Sequence, residues 1–134
     1  VPDWVGKSLG GRGKVWGKVD DIKIHLEKST VMALPLRFAA GVRIRMLEAA
    51  AAGLPVVSTP AGVRGLNIRD GDEYLLADSP EEFAGAMIDI MEDSELAGRI
   101  GEKARKWAED NISLTSYPDR LQAVLEKLME TEAG

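Results

Sequence analysis

Residues 34–62 read LPLRFAAGVRIRMLEAAAAGLPVVSTPAG. Two apolar runs bracket this stretch: Thr30–Leu34 (TVMAL) leads into it and Leu54–Thr59 (LPVVST) lies near its end. Both are rich in residues that favour buried strands. Pro35 stops the first run, because a residue before proline is held extended. Between them, Leu36–Val42 reads as a loop containing Gly41, and Arg43–Ala52 carries apolar residues at helical spacing, with Gly53 as its outside cap. Two buried strands joined by a helical crossover make a parallel pair. This stretch alone therefore predicts an α/β protein.

The rest of the chain extends the alternation. Upstream, Lys14–Val19 (KVWGKV) reads as a short strand and Asp20–Lys28 as a helix opened by an aspartate N-cap, with Ile22 and Leu26 four apart. Downstream, Pro60–Gly71 reads as a long loop with at most one short bridge, and Tyr74–Ala77 (YLLA) as a fourth strand. Ser79 then N-caps a helix to about Met91, with Pro80 at its first position and Glu82 at the capping-box spacing. Further helices are predicted over about Ser94–Asp110 and Pro118–Glu130. Strands alternating with helices give a parallel sheet with helices on both faces. The expected organisation is one domain over 1–134, with a helical C-terminal part over 79–130.

A chain of 134 residues, 45% hydrophobic and 29% charged, is long enough for its own core, and its composition excludes collagen, coiled coil and bulk disorder. No apolar run approaches the ~20 residues of a membrane helix, and nothing at the start reads as a signal peptide. Without cysteine there is no disulfide frame and no thiolate metal site. The net charge of −5 is unevenly spread. Residues 1–66 hold ten Lys and Arg against five Asp and Glu, whereas residues 67–134 hold seven against seventeen. An acidic whole argues against nonspecific nucleic-acid binding, while a basic half fits a small anionic ligand held at one end; drifting surface charge would look the same. The chain begins at Val1 rather than Met, as expected of either a processed product or a piece of something longer.

The chemistry concentrates at the loop-to-helix junction. In open α/β sheets ligands sit beyond the carboxyl ends of strands, where loops meet helix N-termini. Gly41 and Val42 occupy such a junction, surrounded by Arg37, Arg43 and Arg45. Backbone amides, the helix dipole and guanidinium groups would bind an anion such as phosphate, although an ordinary helix start with solvated arginines reads the same way. Glu48 is a sharper signal. At about 100° per residue it falls about 40° from Ile44, on the stripe shared with Leu47 and Ala51. A carboxylate there needs partners. These are either one of the three arginines or a ligand offering hydroxyls. Glu48 lies roughly 8 Å from the helix N-terminus, about the spread between a nucleotide's phosphates and its ribose.

Several residues read as ordinary structure. His25 is a mid-helix residue, Asp20 and Asp21 are helix caps, and Trp4, Trp16 and Trp107 are packing residues. Met32, Met46 and Met87 read as core filler, and Asp70-Gly71-Asp72-Glu73 as a turn with solvated charge. No Ser/His/Asp or Cys/His set is available for a nucleophilic triad.

The run Pro35-Leu36-Arg37-Phe38-Ala39-Ala40-Gly41-Val42-Arg43-Ile44-Arg45, then Leu47-Glu48-Ala49 and Gly53-Leu54-Pro55-Val56-Val57-Ser58-Thr59, resembles family 4 (group 1) glycosyltransferases. Val15–Asp21, Gly65-Leu66 and Tyr74–Asp78, with Pro80 and Phe83, match the flanks of the same domain, so the resemblance covers about residues 14–130. It implies the C-terminal, Rossmann-like donor-binding domain of a bacterial, retaining enzyme of the GT-B architecture. The substrate would be a nucleotide-diphosphate-sugar donor, with no metal or cofactor required. The second glutamate of the family's Glu-x7-Glu motif matches Glu48, which would hold the donor's ribose hydroxyls. The first falls on Ala40, a departure that removes a side chain from the donor sugar. Gly41, Val42 and Arg43 match positions whose amides meet the diphosphate or sugar, with Arg37 and Arg45 beside them. No catalytic residue is assigned.

The family's domain begins with two strands ahead of residues 15–19, which this chain does not contain. The resemblance therefore implies a partial domain, inactive alone, that meets a sugar or glycolipid acceptor through an N-terminal domain; the chain by itself would be rearranged, a homo-oligomer through exposed sheet edges, or a fragment of a larger protein. It places the protein in the cytoplasm, either free or peripheral at the inner membrane face. The alternatives are a sugar-nucleotide epimerase of the same architecture, disfavoured by Ala40, and a non-catalytic interaction module.

Overall fold

The computed structural model describes residue 8, residues 10–38, residue 41 and residues 43–112. The elements are α1 (Lys23–Glu27), β1 (Met32–Leu34), α2 (Ile44–Ala52), β2 (Val56–Ser58), α3 (Pro60–Val63), β3 (Leu75–Leu76), α4 (Pro80–Glu92) and α5 (Ser94–Ile112). The helix expected over 118–130, Trp4, Ala40 and Val42 lie outside the described residues.

The three strands form a parallel sheet in the order β1-β2-β3. Met32 pairs with Val56, Leu34 with Ser58, and Val57 with Leu75. β2 is central and wholly buried because helices cover both of its faces. Successive strand side chains point to opposite faces. Val56 accordingly joins a cluster with Leu26, Met46, Ala49, Leu54, Val63 and Tyr74, whereas Val57 joins Ala77 and Ile90, with Phe83 and Met87 packed alongside. The architecture is thus the expected Rossmann-like one. Among the described residues, β1 pairs only with β2.

Local signals explain the helix ends. Gly53 closes α2 in the left-handed region at φ 69°, its amide donating to the carbonyls of Ala49 and Ala50. α5 then packs across α2 through Ala50, Ala104 and Ala108, with Trp107 alongside. At α4 the reciprocal capping box forms: the Glu82 amide donates to Ser79 Oγ at 3.1 Å, and Glu82 Oε2 accepts from the amides of Ser79 at 3.0 Å and Asp78 at 2.7 Å. α5 starts at Ser94, as expected, and its capping side chain is the preceding Asp93. Its Oδ1 accepts from the amides of Glu95 and Leu96.

The capping box carries a pH signature. The two backbone amides, Asp78 first and then Ser79, hold the Glu82 carboxyl below its ordinary value. A group whose folded pKa is lowered stabilises the fold above its unfolded pKa and loses that contribution as pH falls through the folded value. The stability advantage of wild type over Glu82→Gln should be full at neutral pH and shrink as pH falls through and below the ordinary glutamate range. Urea denaturation at stepped pH checks this; an advantage that stays constant into acid would assign no role to the charge.

Four expectations need correction. Residues 14–19 form no strand: Gly17 sits at φ 68°, which breaks the extended run, and among the described residues no strand pairs with it. Trp16 is 58% exposed rather than a core residue. The segment after β2 is not all loop, since Thr59 is extended and Pro60 starts one helical turn, α3. The acidic turn is also less free than expected. Asp70 Oδ1 accepts from the Leu76 amide, Glu73 Oε2 accepts from the Arg69 amide, and Asp72 pairs with Arg69 and Lys103. The Lys103 hydrogen bond is the main reason the Asp72 carboxyl lies below its ordinary value. Arg99 adds a bond to the Gly71 carbonyl, so this turn is tied onto α5.

Candidate functional site

The site is built on the connection from β1 to α2. Beyond Pro35 the chain is held by Thr59, whose Oγ1 donates to the Leu36 carbonyl at 2.5 Å. The loop then exposes Phe38 almost completely, at 89%. Arg43 sits where α2 begins, and its guanidinium turns inward. Nε and Nη2 donate to the Ala61 carbonyl at 3.3 and 3.1 Å, and Nη1 donates to the Gly41 carbonyl at 2.6 Å. Arg43 thus fastens the junction to α3. Its side chain fixes the loop's shape, a role set by a carbonyl eighteen residues away that sequence spacing alone does not reveal.

Arg45 and Glu48 come together one helical turn apart, Nη1 to Oε2 at 2.6 Å. Of the two partner types expected for Glu48, the structure therefore displays an arginine. The pair is half-open to solvent: the Glu48 side chain is 30% exposed and that of Arg45 57%. Glu48 borders a 510 Å³ cavity between α1 and α2, lined also by Leu26, Ala51 and Arg105. Arg45 borders a larger one of 720 Å³, formed with Trp16, Lys18, Ile22, His25, Lys28 and Ser29. Trp16 and His25 meet edge to face there, their ring centroids 4.7 Å apart, and the Lys14 ammonium lies 3.5 Å from the Trp16 ring centre. Trp16 and His25 line this groove although sequence reading assigned both to ordinary structure; the one signal for Trp16 was that 15–21 resembles the segment preceding the motif, and His25 had none.

Arg37 is elsewhere. It lines a third cavity, of 430 Å³, against Thr59, Asp78 and α4, which shares no residue with the Arg45 cavity. The predicted donor-binding set thus divides. Gly41, Arg43, Arg45 and Glu48 gather around the start of α2, Arg37 faces α4, and Val42 lies outside the described residues. Among the described residues no three His, Asp or Glu side chains are grouped to hold a metal ion. No described helix is long and apolar enough to cross a membrane.

The combination at α2 is chemically specific: a carboxylate that can accept from hydroxyls, an arginine beside it, and a groove with aromatic and cationic walls. Known proteins resemble this chain in sequence and in fold. Residues 3–93 match the family described as glycosyl transferases group 1. A GDP-mannose-dependent alpha-(1-6)-phosphatidylinositol monomannoside mannosyltransferase of Mycolicibacterium smegmatis is 29% identical over 114 residues, covering 79% of this chain and 30% of that protein. The C-terminal domain of a glycosyl transferase group 1 family protein from Francisella tularensis superposes with a TM-score of 0.70 at 18% identity, over 84% of this chain and 60% of that one. HepE of Anabaena, in complex with UDP, gives 0.71 at 21% identity, over 92% and 34%. The chain spans between 22% and 30% of the length of the curated relatives it matches.

Proposed function

We propose, from the premise that this chain belongs to the group 1 glycosyl transferases, that it is the donor-binding part of a retaining family 4 enzyme and holds a nucleotide-diphosphate-sugar around the start of α2. The observation that carries this is the Arg45–Glu48 pair, whose arginine borders the groove formed by Trp16, His25 and Lys28 and whose carboxylate borders the neighbouring cavity between α1 and α2. Glu48 accepts the ribose hydroxyls, and Arg45 both orients that carboxylate and faces the diphosphate. Backbone amides at Gly41, Val42 and Arg43, with the positive end of α2 behind them, take the remaining phosphate charge. These groups stabilise charge on the departing diphosphate during sugar transfer. UDP in the Anabaena neighbour supports a nucleotide at this fold, and a mannosyltransferase relative supports a sugar donor. The acceptor, a sugar or glycolipid, and the other half of the catalytic cleft are assigned to an N-terminal domain, so this chain alone should not transfer sugar.

Calorimetry with UDP, GDP and ADP tests the reading. One of the three should bind, and Glu48→Gln should weaken it by about 1.5 kcal/mol or more, roughly tenfold, the loss expected when a charged hydrogen bond becomes neutral. The half-exposed pair with Arg45 contributes under about 1 kcal/mol to folding, so the variant should melt near the wild-type temperature. Unchanged affinity with lowered stability would instead make Glu48 a structural residue.

A further inference from the structure

The cavity that takes Arg37 away from the other arginines has a composition of its own. It opens at the carboxyl ends of all three strands, with Pro35 following β1, Thr59 following β2 and Asp78 following β3. Its volume of 430 Å³ falls within the ~300–1,000 Å³ typical of small-molecule sites. Pro35, Phe83 and Met87 give it an apolar wall, while Arg37, Asp78 and Ser79 supply polar groups. Among the described residues, neither the Arg37 guanidinium nor the Asp78 carboxylate has a hydrogen bond or an ion pair. Two opposite charges thus line one cavity without neutralising each other.

Chemistry narrows the ligand. An anion drawn to Arg37 would also meet Asp78, and a cation the reverse. The start of α4 offers little to an anion, because the amides of Asp78, Ser79 and Glu82 are already used by the capping box. What satisfies all the groups is a neutral molecule that has donors, acceptors and an apolar face. A pyranose has this character. Vicinal hydroxyls donate to the two carboxylate oxygens of Asp78, ring or hydroxyl oxygens accept from Arg37, and the C–H face lies on Phe83. We propose that this cavity is a second carbohydrate site that takes one neutral pyranose unit, separate from the donor groove. The proposal does not depend on the donor reading, since the two cavities have no residue in common.

Amide NMR of the full chain titrated with methyl α-D-mannopyranoside and methyl α-D-glucopyranoside tests it. At least one should shift amides over Asp78–Met87 and near Arg37, leaving those around Arg45 and Glu48 in place. Asp78→Ala and Arg37→Ala, both at exposed positions, should each weaken that binding about tenfold; Arg45→Ala should leave it unchanged. The absence of shifts with either sugar, shifts confined to the Arg45 groove, or equal binding by Asp78→Ala would overturn the proposal. Inorganic phosphate shifting the same amides in place of the sugars would overturn it as well, by making the cavity an anion site.

Discussion

Gly101→Ala should destabilise the protein by about 2–3 kcal/mol, while Gly98→Ala, three residues earlier in the same helix, should leave it unchanged or up to about 1 kcal/mol more stable. Both substitutions improve helix propensity by about 1 kcal/mol. They differ in what the new methyl group meets. At Gly98 there is open space, whereas at Gly101 a Cβ would run into the carbonyl oxygen of Gly53 and crowd its carbonyl carbon. The first obstacle is backbone, so no rotamer change relieves it, and α5 must lift from the turn that ends α2. Overpacking of this kind costs about 1–3 kcal/mol or more, which exceeds the propensity gain. The comparison is internally controlled, because helix, residue type and substitution are the same. Thermal unfolding of the two variants and of Gly85→Ala, another glycine with open space around it, reads the difference. Equal melting of Gly101→Ala and Gly98→Ala would mean that the α2–α5 crossing adjusts freely and does not fix the fold.

That crossing also shows why some of the molecule could be read directly and some could not. The start of α4 was legible because its determinants, Ser79, Pro80 and Glu82, lie within four residues and act on one another. Gly53 was legible for the same reason. Strand edges are a different matter, since a strand exists only where another chain segment pairs with it. Lys14–Val19 has strand composition but no partner among the described residues, and the positive φ of Gly17 interrupts its extended run. β1 and β2 keep only their paired centres, Met32–Leu34 and Val56–Ser58. The one-turn helix at Pro60–Val63 had a local signal in Thr59-Pro60 that the surrounding glycines obscured. In the site, the spacing of Arg45 and Glu48 on one helix made their meeting predictable. The Arg43 bond to Ala61 and the separation of Arg37 toward Asp78 and Phe83 depend on how distant elements dock. Those contacts belong to tertiary structure, and no periodicity reports them.

Met46→Ala should produce the larger loss, about 2–5 kcal/mol, and the effect should extend to ligand binding. Met46 has no solvent exposure and is the largest of the fully buried side chains, packed in the cluster with Leu26, Leu54, Val56, Val63 and Tyr74. Truncation removes both its transfer free energy and its contacts, leaving a space that rigid neighbours such as Val56 on the central strand cannot fill. Met46→Leu conserves volume and should cost under about 1.5 kcal/mol. The position matters for function because Met46 anchors the first turn of α2, with Arg45 and Glu48 as its neighbours on the open side. If that anchor fixes the helix, nucleotide affinity should fall in Met46→Ala even at temperatures where the chain is still folded, and return in Met46→Leu. Denaturation and calorimetry on the same samples separate the two effects. Lost stability with unchanged affinity would show that α2 is held in place by its Gly53 end and by Arg43, and that the core beneath it sets stability alone.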